Sequence, residues 1–465
     1  MFRGLFSIIL PSFSARRRKP KRRGPAMERV SGANFAPSDA DVVGGPKVLL
    51  ADLAGDRGGG ETGRISDALS QCGCLEAFRS NQVLKMNKTG DLVQQLLGAA
   101  DQGRQLMHAQ GADLLIWGEV VEGGSRLRFL PFAPSADSLP GAVGLGDALE
   151  LPFQFGEDYV PVLHAGVLAA VGPTFKGSRG RIAEFLGPAL QAARGFIEGE
   201  PPDLPPARHA AILTTLGNAF AAHSRLGGGG KKLGNAGAVY RMALKKISAE
   251  QEPEVWAVAQ SHFAAVLKAQ GEGKDEDATE HMKRAAIAYQ QITETLSRVA
   301  HPYDWALAHI NHGLVLYRLS ARSGRAAYLQ EASKSFEEAL TVYTKEALPG
   351  RWAEVTNQYG VILLAMGEQV TGNATLEQAV KRFRQVLEIR KRDRAPLLWA
   401  QTANNLGAAC FSLAKRNAEA ALLREASACF EGAVEIYENS GGKKKAEVIR
   451  NNLHRVERLL SARSG

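Results

Sequence analysis

One pair of histidines and one pair of cysteines have side chains that could bind a metal ion. His309 and His312 stand three residues apart, and Cys72 and Cys74 form a C-x-C pair. A structural zinc site needs four ligands and a catalytic site three, and neither pair has a further ligand at a motif spacing. We therefore expect ordinary histidines, reduced thiols and no metal.

Two glycine-rich stretches could bind phosphate. LGGGGKKLG at 226–234 lacks the preceding strand and the Gly-Lys-Ser/Thr ending of a nucleotide loop, so the sequence predicts a flexible loop between two helices. GDRGGGETG at 55–63 lies between a predicted strand and a predicted helix, whose free N–H groups favour an anion. It lacks the G-x-G-x-x-G spacing and a lysine. A small anionic ligand bound there by a regulatory protein is our alternative function.

The sequence has no motif for nucleophilic or metal-assisted catalysis. G-x-S-x-G and H-E-x-x-H are missing, and no cysteine has an evident histidine partner. Carboxylate pairs such as Glu337–Glu338 fall on polar helix faces. We expect no enzyme activity and no cofactor.

A repeat of 47 residues positions the most regular polar side chains of the chain. Four tryptophans, each followed by alanine, are spaced by 49, 47 and 47 residues: Trp256, Trp305, Trp352 and Trp399. Glycine follows the last three after eight residues, at Gly313, Gly360 and Gly407. Phenylalanine follows after thirty-one, at Phe336, Phe383 and Phe430. A fixed period of this length is typical of a solenoid.

Each repeat unit is predicted to be a hairpin of two helices, A and B. Helix A carries Trp and Gly, and helix B carries Phe; the small Gly lets helix B approach closely. The frame extends back to His209, Gly217 and Tyr240, and forward to a cap helix at 444–461. We therefore predict five hairpins and a cap, because one hairpin alone cannot bury its apolar face.

Side-chain amides recur just before the glycine of helix A. This amide ladder consists of Asn311, Asn357, Gln358, Asn404, Asn405 and Asn451, with Glu354 and Gln401 as groove candidates one turn earlier. An amide offers a donor and an acceptor, so a row of amides can pair with the backbone of an extended peptide. A structural ladder that holds neighbouring hairpins together is the other interpretation, and both remain open.

The repeat resembles the tetratricopeptide repeat, although its unit is longer than the usual length of about 34 residues. WAQTANNLGAACFSLAK (399–415) and FEGAVEIYE (430–438) are similar to the kinesin-light-chain-like subclass. The resemblance covers 207–465 and departs at His209 in place of Trp and at Ala264 in place of Gly. It implies a concave groove lined by helix A, in which ladder amides hold a peptide.

A small α/β domain is predicted ahead of the repeats. Apolar runs at 47–55, 74–80, 112–123 and 125–132 are strand-like, and 63–72 and 91–110 have helical spacing. The order β-α-β-α-β-β implies a small sheet with helices packed on it. Over 46–135, with ADLLIWGEV, this part resembles the TolB-N/FlgO-like domains of bacterial proteins.

A basic N-terminal segment accounts for most of the net charge of +9. Seven of its residues form a cluster after a short apolar stretch: Arg16, Arg17, Arg18, Lys19, Lys21, Arg22 and Arg23. Such a cluster binds an anionic membrane surface; an inert leader, or a start at Met27, is the alternative. The nearly neutral remainder gives no reason to expect nucleic-acid binding.

The sequence as a whole predicts an α-helical solenoid of about five tetratricopeptide-like hairpins plus a cap helix. Its domains are a disordered basic tail and linker at 1–45, a small α/β domain at 46–156, a helical connector at 157–200 and the solenoid at 201–465. We expect a cytoplasmic bacterial adaptor, peripheral to the membrane through its tail. A peptide or protein would occupy the concave face; the oligomeric state is open.

Overall fold

The computed structural model describes residues 45–84, 92–132, 139–171, 179–199, 201, 204–227, 233–273 and 276–464. They form two compact units, divided between Val315 and Leu316. We call 45–315 the first unit and 316–464 the second unit. The basic cluster and the predicted linker up to residue 44 lie outside the described residues, so the membrane-surface prediction stays a prediction.

The first unit begins with a five-stranded sheet of order β2-β1-β3-β4-β5. Its strands are β1 (Lys47–Asp52), β2 (Glu76–Val83), β3 (Leu114–Val121), β4 (Gly124–Pro131) and β5 (Leu149–Pro152). β1 runs parallel to β2 and β3, whereas β3–β4 and β4–β5 are antiparallel. The strand-like runs predicted at 112–123 and 125–132 are therefore the antiparallel pair β3–β4. The sequence analysis missed β5, which has only four residues.

Helices cover both faces of this sheet, because the central strand β1 is apolar on both sides. Helices α1 (Gly60–Ser70) and α2 (Leu92–Gln110) supply the parallel crossovers. Val48 and Leu50 join one hydrophobic cluster, which includes residues of α1. Leu49 and Ala51 join another, which includes residues of α2. Alternate residues of a strand point to opposite faces, so β1 carries both cores.

The segment predicted as a connector contains α3 (Val160–Val171), α4 (Arg179–Ala192) and the short α5 (Gly195–Glu198). Ten of the twelve residues of α3 are buried. Phe129 of β4, Val167 of α3 and Leu213 of the first repeat helix belong to one core cluster. This segment is thus an integral part of the packed first unit. The predicted domain boundaries around it stay predictions.

Five helical hairpins and a final helix follow, as the period predicts. The hairpins are α6 (Pro206–Leu226) with α7 (Leu233–Lys246), α8 (Pro253–Gly271) with α9 (Ala278–Thr295), α10 (Pro302–Ser323) with α11 (Ala326–Leu340), α12 (Pro349–Gln369) with α13 (Ala374–Ile389), and α14 (Pro396–Asn417) with α15 (Ala420–Asn439). The cap is α16 (Lys443–Ser464). Residues 228–232 of the stretch 226–234 lie outside the described residues, so the flexible loop between α6 and α7 stays a prediction. Within the described ranges, no helix has the length and apolar character of a membrane span.

A proline begins helix A of every hairpin. The five residues are Pro206, Pro253, Pro302, Pro349 and Pro396. Proline suits this position because its fixed φ is helical and its missing N–H would have no helical acceptor. The tryptophan of the repeat donates the first hydrogen bond of the helix. The N–H of Trp352 donates to the carbonyl of Leu348 at 2.8 Å, and the N–H of Trp399 donates to the carbonyl of Ala395 at 2.8 Å.

Close packing of a glycine against an aromatic ring joins helix A to helix B. A Cβ added at Gly360 would lie 2.6 Å from Cε1 of Phe383, and one at Gly407 would lie 2.9 Å from Cε1 of Phe430. Both distances are too short for a side chain there. The predicted role of these glycines is therefore confirmed.

A fully buried aromatic residue occupies helix B of every hairpin: Tyr240, Tyr289, Phe336, Phe383 and Phe430. In the second hairpin the residue thirty-one positions after Trp256 is Ile287, but Ile287 is 55% exposed and Tyr289 takes the buried place. Trp256 and Trp305 are 49 residues apart, so this repeat is longer by two residues. The additional length lies in the link between α8 and α9, which displaces helix B by two positions.

Candidate functional site

The ladder amides lie in the middle of helices A, and most of them are buried. Asn357 and Gln358 on α12 are 2% and 6% exposed, and Asn404 and Asn405 on α14 are fully buried. Asn311 on α10 and Gln401 on α14 are buried as well. Only Asn451 on α16 and the half-buried Glu354, which pairs with Arg351 at 3.0 Å, reach the surface. Their role in partner binding stays a prediction.

Several of these amides have hydrogen-bonding atoms that the described part of the chain leaves unpaired. They are Nδ2 of Asn311, Oδ1 of Asn357, Oε1 of Gln358, Oδ1 of Asn404 and Nδ2 of Asn405, together with Nδ2 of Asn452 beside the predicted Asn451. The Nδ2 of Asn404 donates to Oδ1 of Asn405 at 3.4 Å. An unpaired buried polar atom destabilises a fold by about 1–3 kcal/mol. The ladder therefore holds donor and acceptor capacity that the fold itself does not use.

Other side chains join neighbouring hairpins within the second unit. Arg416 of α14 donates to the carbonyls of Gly367 and Gly372, each at 2.7 Å. Ser412 of α14 donates to Glu368 of α12 at 2.8 Å. These bonds join α14 to α12 and to the link after it, and they do not involve the ladder amides.

An ion pair joins α13 and α15, the helices B of the same two hairpins. The guanidinium of Arg384 on α13 holds both carboxylate oxygens of Glu425 on α15, at 3.0 and 2.6 Å. Arg390, at the end of α13, donates to Thr402 of α14 at 3.0 Å. The stacking of these hairpins is thus supported on both the A and the B side without ladder amides.

In the first unit, the segment 139–148 between β4 and β5 lies on helix-A residues. Oδ1 of Asp147 is 2.5 Å from Nε2 of His262 on α8 and 3.4 Å from Nδ2 of Asn218 on α6. The backbone N–H of Gly144 donates to the other carboxylate oxygen at 2.6 Å. Gly141 has a left-handed φ of 67°, and a Cβ there would lie 2.5 Å from the carbonyl oxygen of Asn218. The chain itself therefore covers this part of α6 and α8.

A small crevice beside this segment is lined by Asp147, His262 and Asp304 among others. Burial and the nearby charge of Asp147 raise the pKa of Asp304 to about 6. The cavity volume is about 40 Å³, which is room for roughly three water molecules. A nucleotide does not fit a cavity of this size.

The N-terminus of α1, in the stretch 55–63, already binds the carboxylate of Asp56. Asp56 accepts hydrogen bonds from the N–H and the hydroxyl of Thr62, at 2.8 and 2.7 Å, and from the N–H of Glu61 at 3.4 Å. Burial alone would raise the pKa of Asp56, but these bonds and the charge of Arg79 lower it overall. The negative charge of Asp56 occupies the position expected for an external anion, so the structure does not support the sensor alternative.

The histidine pair of α10 sits in an apolar environment. Burial lowers the pKa of His309 and of His312 to about 4, and the charge of His312 adds to the effect on His309. The ring of His309 lies 4.2 Å from the ring of Trp305. Among the described residues, no cluster of three or more His, Cys, Asp or Glu side chains could hold a metal ion. Both histidines are therefore neutral packing residues at pH 7.

Sequence reasoning missed the segment 139–148 and its anchor Asp147. The residues that hold it are 71 and 115 positions away along the chain, and no local pattern carries such information. The burial of the ladder was also missed, since a period gives equivalent positions and not their exposure. The run of buried residues from Ala400 to Ala414 on α14 is rich in alanine, and this composition is a sequence signal of close helix packing.

Comparison with known proteins finds similarity in solved structures only. No protein-family model matches the chain, and no curated protein matches it. The crystal structure of BtubC (BKLC) from P. vanneervenii is similar at 18% identity and a TM-score of 0.40, over 57% of this chain and 93% of that chain. A circular tandem repeat protein with novel repeat topology and enhanced subunit contact surfaces is similar at 14% identity and a TM-score of 0.30, over 66% of this chain and 84% of that chain. At these scores neither similarity decides what the chain binds.

Proposed function

We propose that this chain is a non-enzymatic adaptor whose second unit binds an extended segment of a protein partner. The site lies on helices α12, α14 and α16, along the ladder amides Asn357, Gln358, Asn404, Asn405 and Asn451, with Glu354 and Gln401 at its edge. The partner's backbone N–H and C=O groups would pair with the amides. Such pairing tolerates many partner sequences, because every residue carries the same backbone groups.

The observation that carries this proposal is the set of unpaired amide atoms at equivalent positions of successive hairpins. Oδ1 of Asn357 and Oδ1 of Asn404 occupy the same place in repeats that are 47 residues apart. An extended strand presents a donor and an acceptor at each residue, so it can pair with such a row. The resemblance to kinesin-light-chain-like tetratricopeptide repeats, whose ladder amides hold peptides, also supports this assignment.

Burial of the amides determines how binding would proceed. Asn404 and Asn405 are fully buried, so a partner reaches them only when the side chains turn outward or the helices A separate slightly. Binding that needs such a change is slower than docking on a preformed surface. The proposal therefore includes a slow association step and a site that opens on binding.

The test is affinity capture from a native lysate with the full chain as bait. The double variant Asn357→Ala/Asn404→Ala removes ladder amides. The matched control is Gln260→Ala, a buried helix-A amide whose Nε2 already donates to Gln291 at 2.8 Å. Proteins retained by the wild type and the control but lost from the double variant, and cross-linked to α12 or α14, are the expected result. Equal retention by all three baits, or no retained protein, contradicts the proposal.

A further inference from the structure

The two cysteines of the C-x-C pair lie against each other at the end of α1. Sγ of Cys72 and Sγ of Cys74 are 2.8 Å apart, and both residues are buried, at 8% and 4% exposure. The turn that carries them is fixed: the N–H of Cys72 donates to Leu69, and the N–H of Leu75 donates to Cys72, each at 3.1 Å. The backbone therefore holds the two sulfur atoms close together.

The distance between these sulfur atoms suits a covalent bond better than a shared metal. Two thiolates on one zinc ion, each about 2.3 Å from it, lie much farther apart than 2.8 Å. A disulfide has a sulfur–sulfur distance of about 2.05 Å. Closing this gap takes a movement of less than about 1 Å.

The environment of Cys72 favours its thiolate, unlike that of the two cysteines in the repeats. The hydrogen bond from the Cys74 thiol lowers the pKa of Cys72 to about 7, against the opposing effect of burial. Burial raises the pKa of Cys429 to about 12, and it also raises that of Cys410. The thiolate is the nucleophilic form of cysteine, so Cys72 is more reactive at neutral pH than Cys410 and Cys429.

We propose that Cys72 and Cys74 form a reversible intrachain disulfide when they meet a small hydroperoxide such as hydrogen peroxide. The thiolate of Cys72 attacks one oxygen of the peroxide, which gives a sulfenic acid and releases hydroxide. The sulfur of Cys74 then attacks the sulfur of Cys72 and gives its proton to the first hydroxide. The sulfenic hydroxyl leaves as a second hydroxide, which takes up the proton that Cys72 released on ionising. Two thiols are oxidised and one peroxide is reduced to two water molecules.

Burial of the pair selects the oxidant. Gln71 and Gly73, on either side of Cys72, are exposed, whereas both cysteines are enclosed beside Ala68 and Leu69 in the core of the first unit. A peroxide has about the size of a water molecule and reaches such a site, but a bulky disulfide does not. The product ties the end of α1 to the start of β2.

Tryptic cleavage separates the pair from the other cysteines, which makes the test internally controlled. Cys72 and Cys74 fall on one peptide between Arg64 and Arg79, and Cys410 and Cys429 fall on two others. The full chain is treated with hydrogen peroxide, denatured, alkylated and analysed by mass spectrometry. The expected result is that the 65–79 peptide loses two hydrogens and both alkyl groups, that dithiothreitol restores them, and that Cys410 and Cys429 remain alkylated.

Single substitutions test the order of the steps. Cys74→Ser leaves the sulfenic acid of Cys72 without its partner, so dimedone should label Cys72. Cys72→Ser removes the nucleophile, so dimedone labelling of Cys74 should be at least tenfold lower. A 65–79 peptide that stays fully alkylated, oxidation of all four cysteines to the same degree, or disulfide-linked dimers through Cys72 would each overturn the proposal.

Discussion

Replacement of Gly360 by alanine tests the packing that sets the repeat. Gly360 lies in the middle of α12, and an added Cβ would meet three ring atoms of Phe383 at 2.6, 2.8 and 3.1 Å. Phe383 is fully buried, so its ring cannot turn away into solvent. The helices must separate or the ring must leave its rotamer.

The magnitude follows from two opposing contributions. Overpacking of a core destabilises a protein by about 1–3 kcal/mol. Alanine in place of glycine favours a helix by up to about 1 kcal/mol. Gly360→Ala should therefore be net destabilising by roughly 1–2 kcal/mol. This corresponds to a fall in melting temperature of roughly 2–8 °C for a unit of this size.

The same helix supplies a matched control. A Cβ added at Gly350, in the first turn of α12, would meet nothing within 4 Å, so Gly350→Ala should be neutral or slightly stabilising. The assay is urea denaturation followed by circular dichroism. Phe383→Leu should lower the additional cost of Gly360→Ala, with a coupling energy of about 0.5–3 kcal/mol. Equal stability of the two alanine variants would refute the idea that the glycine exists for close approach of helix B.

Three further predictions concern the ladder, the histidines and the N-terminal segment. Asn357→Leu should leave the free energy of unfolding unchanged or raise it by about 1–3 kcal/mol, because Oδ1 of Asn357 has no partner in the described part of the chain. The control Gln260→Leu breaks a hydrogen bond to Gln291 and should lower the free energy of unfolding. A clear decrease for Asn357→Leu would favour the structural ladder. Burial lowers the pKa of His312 in the folded state to about 4, so its contribution to stability is present above the unfolded pKa near 6.5 and is lost as pH falls toward 4. Urea titrations from pH 7 to 4 should show a loss of unfolding free energy in the wild type that His312→Asn reduces by about 2–3 kcal/mol. Parallel curves for the two proteins would contradict this prediction. Removal of residues 1–26 should abolish flotation with anionic liposomes, and equal flotation of both forms would exclude the membrane contact.

The repeat was predictable because its signals are local and periodic. Proline, tryptophan and glycine return at fixed places on helix A, so the helices begin and pack where the period predicts. The spacing of thirty-one residues after the tryptophan does not hold in the second hairpin, since two additional residues between α8 and α9 place the buried aromatic at Tyr289. A search for the aromatic residue nearest to the expected position would have found it.

The site was less predictable because its properties depend on packing between distant segments. Equivalent positions in the sequence predicted which residues form the ladder, but not that the packing of α14 against its neighbours buries Asn404 and Asn405. The contact of Asp147 with His262 crosses 115 residues. The anion site expected at 55–63 is filled by a residue of the same stretch. Asp56 lies four residues before α1, and its carboxylate accepts hydrogen bonds at the N-terminus of this helix.

The central claim is that the ladder amides bind a partner and do not hold the fold together. Isothermal titration of a partner retained in the capture, against the wild type, Asn357→Leu and Gln260→Leu, measures this directly. Our account predicts an affinity about tenfold weaker for Asn357→Leu, equivalent to about 1.4 kcal/mol, with no loss of stability, and an unchanged affinity for Gln260→Leu. An affinity of Asn357→Leu within twofold of the wild type, together with reduced stability, would contradict the account and make the amides structural.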